Sequence, residues 1–580
     1  MKVVIVGGVA GGASAATRIR RLDEQAQIII FERSAYVSYA NCGLPYYIGD
    51  VITDKKALAV QTPESLNRRF RLDVRVRHEV TRIIPERKVV LVRNLESGEE
   101  FEESYDRLLL SPGARPTVPN FVGTELDGVF TLRTVEDTFK IKEWIVEHQP
   151  KTAVVAGGGF IGLEMAENLV ELGVRVTLVQ NTPQVLPPLD ADMAAFCHAE
   201  LRKQGVDLRL NATVKGFARD AQNATLEEPE GPEGFARDAQ TGVSTLLKDA
   251  EALHSDMVLL AIGVTPDTTL AREAGLELGI KGSIVVNDHM QTSIPDIYAV
   301  GDAVQVKHFV TGADTLIALA GPANKQGRIA ANNICGIDSR FTGSQGSSII
   351  KLFDLTIAST GINETTAKSA GLNYDKVVLS PVSHASYYPG ARAMTLKLIY
   401  EKGSLRILGA QIVGKQGVDK RIDVLATAIH AGMKATELAE LDLAYAPPYS
   451  SAKDPVNMAG FMVENLESGL VKQWHYDMAS ELPRDGRVTL LDVRTAAEYE
   501  RGHIDGFVNI PVDELRERIG EIDTDKPAYL ICQSGLRSYL ATRILKQKGI
   551  DCYNFSGGFG FYRTVVLDEQ MHASCYPCGI

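Results

Sequence analysis

The chemistry in this 580-residue chain begins with sulfur. In SYANCGLPYYIGD (38–50), Cys42 has no other cysteine within a hundred residues. A dithiol cycle needs two sulfurs, so the first question is what Cys42 pairs with. In CQSGLR (532–537), Cys532 leaves an apolar strand and enters a short loop before a helix, with Arg537 close behind. Successive backbone amides in such a loop form an anion nest, and a helix N-terminus lowers a thiol pKa. Cys197, Cys335 and Cys552 stand in apolar surroundings and read as buried structural residues. The terminal CYPCGI holds Cys575 and Cys578 as a C-x-x-C. Two ligands do not make a zinc site, so no metal centre is read here. The segment reads as a disordered terminal tail, with a dithiol that reduces a mixed disulfide as the alternative. Mostly isolated cysteines argue against a disulfide framework and fit a reducing compartment.

The second chemistry is phosphate binding. A glycine loop between a strand and a helix lets backbone amides approach a pyrophosphate at the positive helix end. Gly157, Gly159 and Gly162 complete G-x-G-x-x-G within TAVVAGGGFIGLEMAENLVELGVRVTLVQ (152–180). The first unit, KVVIVGG (2–8), ASAATRIRRL (13–22) and IIIFER (28–33), keeps Gly7 and Gly12. Val9 takes its middle position, with Gly8 and Gly11 as neighbours. Glu32 ends the second strand of that unit, where a carboxylate accepts both ribose hydroxyls. At the matching place in the second unit stand Gln180 and Asn181. An uncharged site offers nothing to balance a 2′-phosphate, which favours NADH over NADPH. Arg18 and Arg21 on the first helix, and the cluster Arg68, Arg69 and Arg71, are candidate phosphate ligands. Their other reading is a solvated helix face.

These residues need an α/β frame, and the pattern supplies one: β-branched runs alternate with amphipathic segments. From about residue 345 the texture changes. SSIIKLFDLTIASTG, AMTLKLIYEK and LRILGAQIVG read as antiparallel strands, followed by a helix over 423–433 and the irregular LDLAYAPPYSSAKDP (441–455). Near Trp474 a further α/β unit begins, with strands at 488–494 and 527–533 and a helix at 536–549. The length implies three or four domains. A net charge of −12 argues against a nucleic-acid surface. No signal peptide or membrane span is read, so a cytoplasmic protein is expected. GFARDAQ recurs at 216–222 and 234–240 around an acidic insert, read as a duplicated surface loop.

With TSIPDIYAVGDA (292–303) and SPGARP (111–116), the two glycine loops resemble the flavoprotein disulfide reductases with two dinucleotide domains. The lone cysteine resembles their single-cysteine branch: coenzyme A-disulfide reductases, NADH oxidases and NADH peroxidases. Peroxidase-like members carry a His in the first glycine loop, where this chain has Ala10. HASYYPG (384–390) and LAYAPPYSSAKDP (443–455) resemble the coenzyme A-disulfide reductases. LLDVRTAAEYERGHIDGFVNIP (490–511) and the Cys532 loop resemble rhodaneses, which carry sulfane sulfur as a cysteine persulfide.

The resemblance implies the site residues. FAD falls to Gly7, Gly8, Ala10, Gly12, Glu32, Arg33, Asn41, Val80, Ser111, Gly113, Gly301, Asp302 and Ala320, with Asp302 on the ribityl chain. The nicotinamide nucleotide falls to Gly157, Gly159, Gly162 and Gln180; coenzyme A to Arg18, Arg21, Ser38, Asn41, Arg69, Arg71 and Lys453. Cys42 and Cys532 are the nucleophiles, and Arg537 stabilises anionic sulfur at Cys532. Tyr387 and Tyr445 reach the active site of the partner subunit. Asp492 and Arg494 are structural partners beneath the Cys532 loop.

The expected architecture is α/β. It has two Rossmann-like domains, for FAD (1–112 and 250–330) and NAD(P)H (113–249), and an α+β dimerisation domain (331–455). A linker (456–473), a rhodanese α/β domain (474–566) and a Cys-containing tail (567–580) follow. The expected activity is an NADH-dependent flavoprotein homodimer reducing coenzyme A persulfide or polysulfide through a mixed disulfide at Cys42. The alternatives are a coenzyme A-disulfide reductase with an accessory rhodanese domain, and a sulfane-sulfur sensor or carrier.

Overall fold

Short strands of two to six residues, joined by helices with one apolar face, stack into parallel sheets covered on both sides. The computed structural model describes residues 1–219 and 242–575, the side chains of 573–575 excepted. Most of the GFARDAQ repeat and Cys578 lie outside the described residues. The chain divides into two compact units: residues 1–185 with 204–346, and residues 186–203 with the remainder.

The first unit holds two five-stranded parallel sheets. In one, the strand order is Ile297–Ala299, Arg107–Leu110, Lys2–Val6, Gln27–Glu32, Asp73–Val76. Val3, Ile5, Ile28 and Ile30 face the helices Ala10–Leu22 and Ala320–Ile334. Val4, Val6 and Ile29 face the opposite way, towards Val80, Val90 and Val92 of a three-stranded antiparallel sheet. The period of two along each strand thus sorts the side chains into two cores. The other parallel sheet runs Asp207–Arg209, Arg175–Val179, Thr152–Ala156, Met257–Leu260, Val129–Phe130. Met257–Leu260 pairs with Thr152–Ala156, so the chain returns to the first sheet after this strand rather than at residue 250.

In the second unit an antiparallel sheet runs Ser348–Leu352, Leu355–Gly361, Ile407–Gly414, Met394–Glu401, Tyr374–Leu379. Residues 456–473 are not a free linker. Most of them form the helix Pro455–Glu467, which buries Val456, Ala459 and Val463. A parallel sheet follows, ordered Lys472–Trp474, Cys552–Phe555, Ala528–Ile531, Thr489–Asp492, Val508–Asn509. Trp474 is fully buried, and its Nε1 donates to the Leu530 carbonyl at 3.2 Å. The two sheets are tied: the Val378 amide donates to Ser556 Oγ at 2.9 Å, and Gln473 Nε2 to the Lys376 carbonyl at 2.6 Å. The helix Gly558–Cys575 makes 567–575 part of the fold rather than a tail. Among the described residues, no helix is long and apolar enough to cross a membrane.

Residues 186–203 are held in this unit by buried charge. Nζ of Lys397, itself fully buried, lies 2.7 Å from Asp192 and 2.9 Å from Asp190, and it also pairs with Glu364. Lys376 reaches Glu364 at 2.8 Å. Burial pushes the Glu364 carboxyl up, but Lys397 and Lys376 outweigh it and hold the pKa at about 2. At Asp190 burial wins over Lys397 and the pKa rises. Removing one member of a buried charge network strands its partners and costs about 3–5 kcal/mol. Lys397→Ala is therefore expected to destabilise the second unit by about that much, read as an earlier urea transition in tryptophan fluorescence, since Trp474 reports on this unit.

Candidate functional site

A cavity of about 1170 Å³ opens in the first unit around the N-terminus of helix Ala10–Leu22. Its wall includes Gly7, Ala10, Glu32, Arg33, Asn41, Cys42, Val80, Ser111, Gly113, Gly301, Asp302 and Ala320, with Ser38 and Arg69. Gly7 turns the strand into the helix at φ +93°, and a Cβ there would stand 2.1 Å from the Ser111 carbonyl oxygen. Gly8 and Gly12 shape the loop from behind. The Gly8 amide donates to Glu32 Oε2 at 2.9 Å, and the Ser34 amide to Oε1 at 2.9 Å. Burial pushes the Glu32 pKa up, against these two amides. The exposed amide end, the side-chain-free turn and the acid at the strand end form a cradle that fits a flavin dinucleotide.

Arg18, Arg21 and Arg71 do not line this cavity. Arg18 Nε donates to Asn332 Oδ1 at 2.9 Å, and Arg21 is exposed. Arg71 is the left-handed residue (φ +47°) that ends helix Pro63–Phe70. Of the four arginines assigned to coenzyme A, on the first helix and in the 68–71 cluster, only Arg69 lines the cavity. Cys335 is half-buried rather than buried, while Cys197 and Cys552 are buried.

Cys42 sits on the single turn Asn41–Gly43, which continues into helix Leu44–Ile48, anchored by buried Leu44 and Ile48. That helix ends at Gly49, where a Cβ would meet Asn168 Oδ1 at 1.9 Å. This close approach sets the Cys42 segment against helix Phe160–Glu171, which follows the second glycine loop. Cys42 is exposed, yet the protein around its sulfur and the nearby Glu164 push the thiol pKa up, and Arg133 pulls it down. Glu164 is itself pushed up to about 7 by burial and by Glu167, against a hydrogen bond from Tyr46. Arg133 Nη2 lies 2.6 Å from Asp302 Oδ2. Arg133, Glu164 and Tyr46 were not found from sequence. Glu164 lies two residues beyond Gly162 on a helix face that only the packing at Gly49 reveals.

The second loop repeats the first with one change. Gly157 has φ +117°, no atom approaches a Cβ at Gly159, and Gly162 packs on the Gly157 carbonyl. Here the Gly158 amide donates to Gln180 Oε1 at 2.8 Å, while Gln180 Nε2 donates to Thr182 Oγ1 at 2.6 Å. A neutral amide performs the backbone task of Glu32.

In the second unit, buried Cys532 ends its strand, and its Sγ accepts hydrogen bonds from the Gly535 amide and from Ser538 Oγ, both at 3.2 Å. Ser538 was not singled out from sequence. Arg537 interacts electrostatically with Cys532, and its guanidinium is also bound in a fork by Glu498 at 2.7 and 2.8 Å. That pairing draws the Glu498 pKa down to about 2. The loop's donors to sulfur are thus Gly535 and Ser538, and Arg537 fastens the loop to helix Ala496–Glu500. Arg494 pairs with Asp492 at 2.6 Å in the core and lies 3.8 Å from the Phe559 ring centroid. Elsewhere in this unit the Tyr387 and Tyr445 hydroxyls are 2.6 Å apart and both rings are exposed, as is Lys453.

Two dinucleotide cradles with one thiol beside the first define an oxidoreductase of the nucleotide–disulfide type, and the comparisons agree. The chain belongs to the pyridine nucleotide-disulphide oxidoreductases, whose family model matches residues 1–327. The dimerisation domain of that family matches 347–455, and a rhodanese-like domain matches 475–562. More particularly, the chain is 39% identical over 461 residues to a coenzyme A disulfide reductase of Staphylococcus aureus, covering 79% of this chain and 99% of that one. Its fold superposes on reduced Bacillus anthracis CoADR-RHD with a TM-score of 0.92, 47% identity and 98% of each chain covered. A NAD-dependent persulfide reductase from A. fulgidus gives a TM-score of 0.88 and 39% identity, covering 97% of this chain and all of that one. The protein is therefore an enzyme, a flavoprotein oxidoreductase with a rhodanese-like domain. Because the Glu164 carboxylate opposes ionisation of Cys42, Glu164→Gln is expected to lower the Cys42 thiol pKa. The alkylation rate of Cys42 by iodoacetamide, followed against pH, should reach its midpoint at a lower pH in the variant.

Proposed function

We propose that this enzyme uses NADH to reduce sulfane sulfur carried on coenzyme A, releasing hydrosulfide. The observation that carries the reading is a lone thiol on the cavity wall in a chain that also holds a second cysteine inside an amide loop. A disulfide at Cys42 then takes its second sulfur from a small molecule.

The cycle starts with the Cys42 thiolate attacking the carbon-bound sulfur of coenzyme A persulfide. The S–S bond breaks, hydrosulfide leaves, and a Cys42–coenzyme A disulfide remains. Two electrons and one proton return the Cys42 thiolate and free coenzyme A thiol. Bound FAD would supply that electron pair from the hydride of NADH. The chain's own groups hold the charges. Arg133 favours the thiolate, while Glu164, with a pKa of about 7, holds or yields a proton close to the sulfur at neutral pH. Ser38, Asn41 and Arg69 give the cavity wall polar groups for coenzyme A. Gln180 leaves the second cradle uncharged, which supports NADH over NADPH.

In a homodimer formed through the dimerisation domain, the exposed Tyr387–Tyr445 pair is a proton donor for sulfur in the partner subunit's site. The hydrogen bond to Tyr445 raises the Tyr387 pKa, which keeps that phenol protonated. Cys532 carries a persulfide, with Gly535 and Ser538 donating to its sulfur. A rhodanese-like domain has little use for a plain disulfide, which tilts the substrate towards persulfide. A coenzyme A-disulfide reductase is the second reading, supported by the Staphylococcus aureus relative.

Anaerobic turnover separates the two. NADH oxidation with coenzyme A persulfide should show a kcat/KM at least tenfold above that with coenzyme A disulfide; equal or reversed values select the second reading. Cys42→Ser should abolish NADH-dependent hydrosulfide release from either a persulfide or a polysulfide. Intact-protein mass after thiosulfate treatment should show one added sulfur that Cys532→Ala lacks; an unchanged adduct in the variant would remove Cys532 from sulfur handling.

A further inference from the structure

The second unit contains a group of metal-ligating side chains far along the chain from either cysteine site. Helix Ala191–Lys203 presents His198 to the C-terminal helix Gly558–Cys575, which carries Asp568 and, one turn on, His572. His198 and Asp568 are more than nine-tenths buried, with Nδ1 and Oδ2 2.7 Å apart. The His572 ring centroid is 5.5 Å from that of His198. Its Nε2 is buried, has no hydrogen-bond partner, and lies 3.5 Å from Asp568 Oδ1. One donor atom from each of the three residues falls within 4.8 Å of the others.

We propose that His198, Asp568 and His572 form a binding site for a divalent first-row transition-metal ion, zinc foremost. Two imidazoles and a carboxylate suit such an ion, whereas calcium and magnesium call for oxygen donors throughout. Bonds of about 2.0–2.1 Å to a central zinc hold tetrahedral ligand atoms roughly 3.3 Å apart. The 3.5 Å between His572 Nε2 and Asp568 Oδ1 is close to that spacing, and the 2.7 Å between His198 Nδ1 and Asp568 Oδ2 must widen to admit the ion. Arg202 binds Asp568 Oδ1, which orients the carboxylate and leaves Oδ2 to the ion, the arrangement expected of an outer-shell partner. The His572 side chain is one-quarter exposed, which gives an ion a way in and water the fourth position. The bound ion joins the 191–203 helix to the last helix of the fold. Sequence could not show it, because His198 and Asp568 are 370 residues apart.

The test uses the full chain with flavin bound. It is stripped with a chelator, equilibrated with Zn²⁺, desalted, and assayed for zinc per chain by plasma mass spectrometry. His572→Ala is expected to hold one equivalent less than the parent, and Cys575→Ser/Cys578→Ser to hold as much as the parent. Zn²⁺ should raise the Tm of the parent and leave that of His572→Ala unmoved. Equal zinc in the parent and His572→Ala overturns the proposal, as does loss of the equivalent in the double serine variant. Should His572→Ala fail to fold, Co²⁺ bound to the parent decides. A nitrogen–oxygen ligand-field spectrum supports the site, and a thiolate charge-transfer band as the sole signal overturns it.

Discussion

Both cradles in the first unit depend on one hydrogen bond: the second amide of a glycine loop donates to the side chain that ends the neighbouring strand. Gly8 donates to Glu32, and Gly158 to Gln180. That bond sets the loop in the one conformation that leaves the following helix N-terminus open, because a bound backbone amide cannot turn away to seek water. Changing the acceptor from carboxylate to amide keeps the geometry and alters the charge presented to a ribose. Loop geometry and the charge at the strand end are thus set independently by one side chain.

Sulfur chemistry is split in a comparable way. Cys42 lies exposed on a short turn, among charges that pull its ionisation in opposite directions. Cys532 is buried, and its sulfur is surrounded by donors from its own loop. The first arrangement leaves the thiol open to a reactant from outside. The second keeps the sulfur out of water with two hydrogen-bond donors on it.

The frame was legible because its signals are local. VVIV and III announce buried parallel strands, and Gly7, Gly157 and Gly162 mark turns whose crowding leaves no room for a side chain. What escaped depends on contacts between distant segments. Arg133 meets Asp302 across 169 residues, and Glu164 nears Cys42 only because Gly49 lets two helices touch. Arg537 was assigned to sulfur from its place in CQSGLR; that Glu498, 39 residues away, also binds it was not visible there. The return at 250 and the linker over 456–473 were misread for a related reason: strand pairing and helix burial, not composition, decide what a segment belongs to.

Buried charge in the second unit also has a bearing on biosynthesis. Asp190 and Asp192 leave the ribosome about 200 residues ahead of Lys397. At a synthesis rate of about 5–20 residues per second, that is a wait of roughly 10–40 s. Through that interval the carboxylates remain hydrated, and the segment that bears them stays in water without a partner. An apolar clasp in the same place would have spent the time as an exposed sticky surface. A clasp made of ions is costly to close, but it keeps well until its lysine arrives.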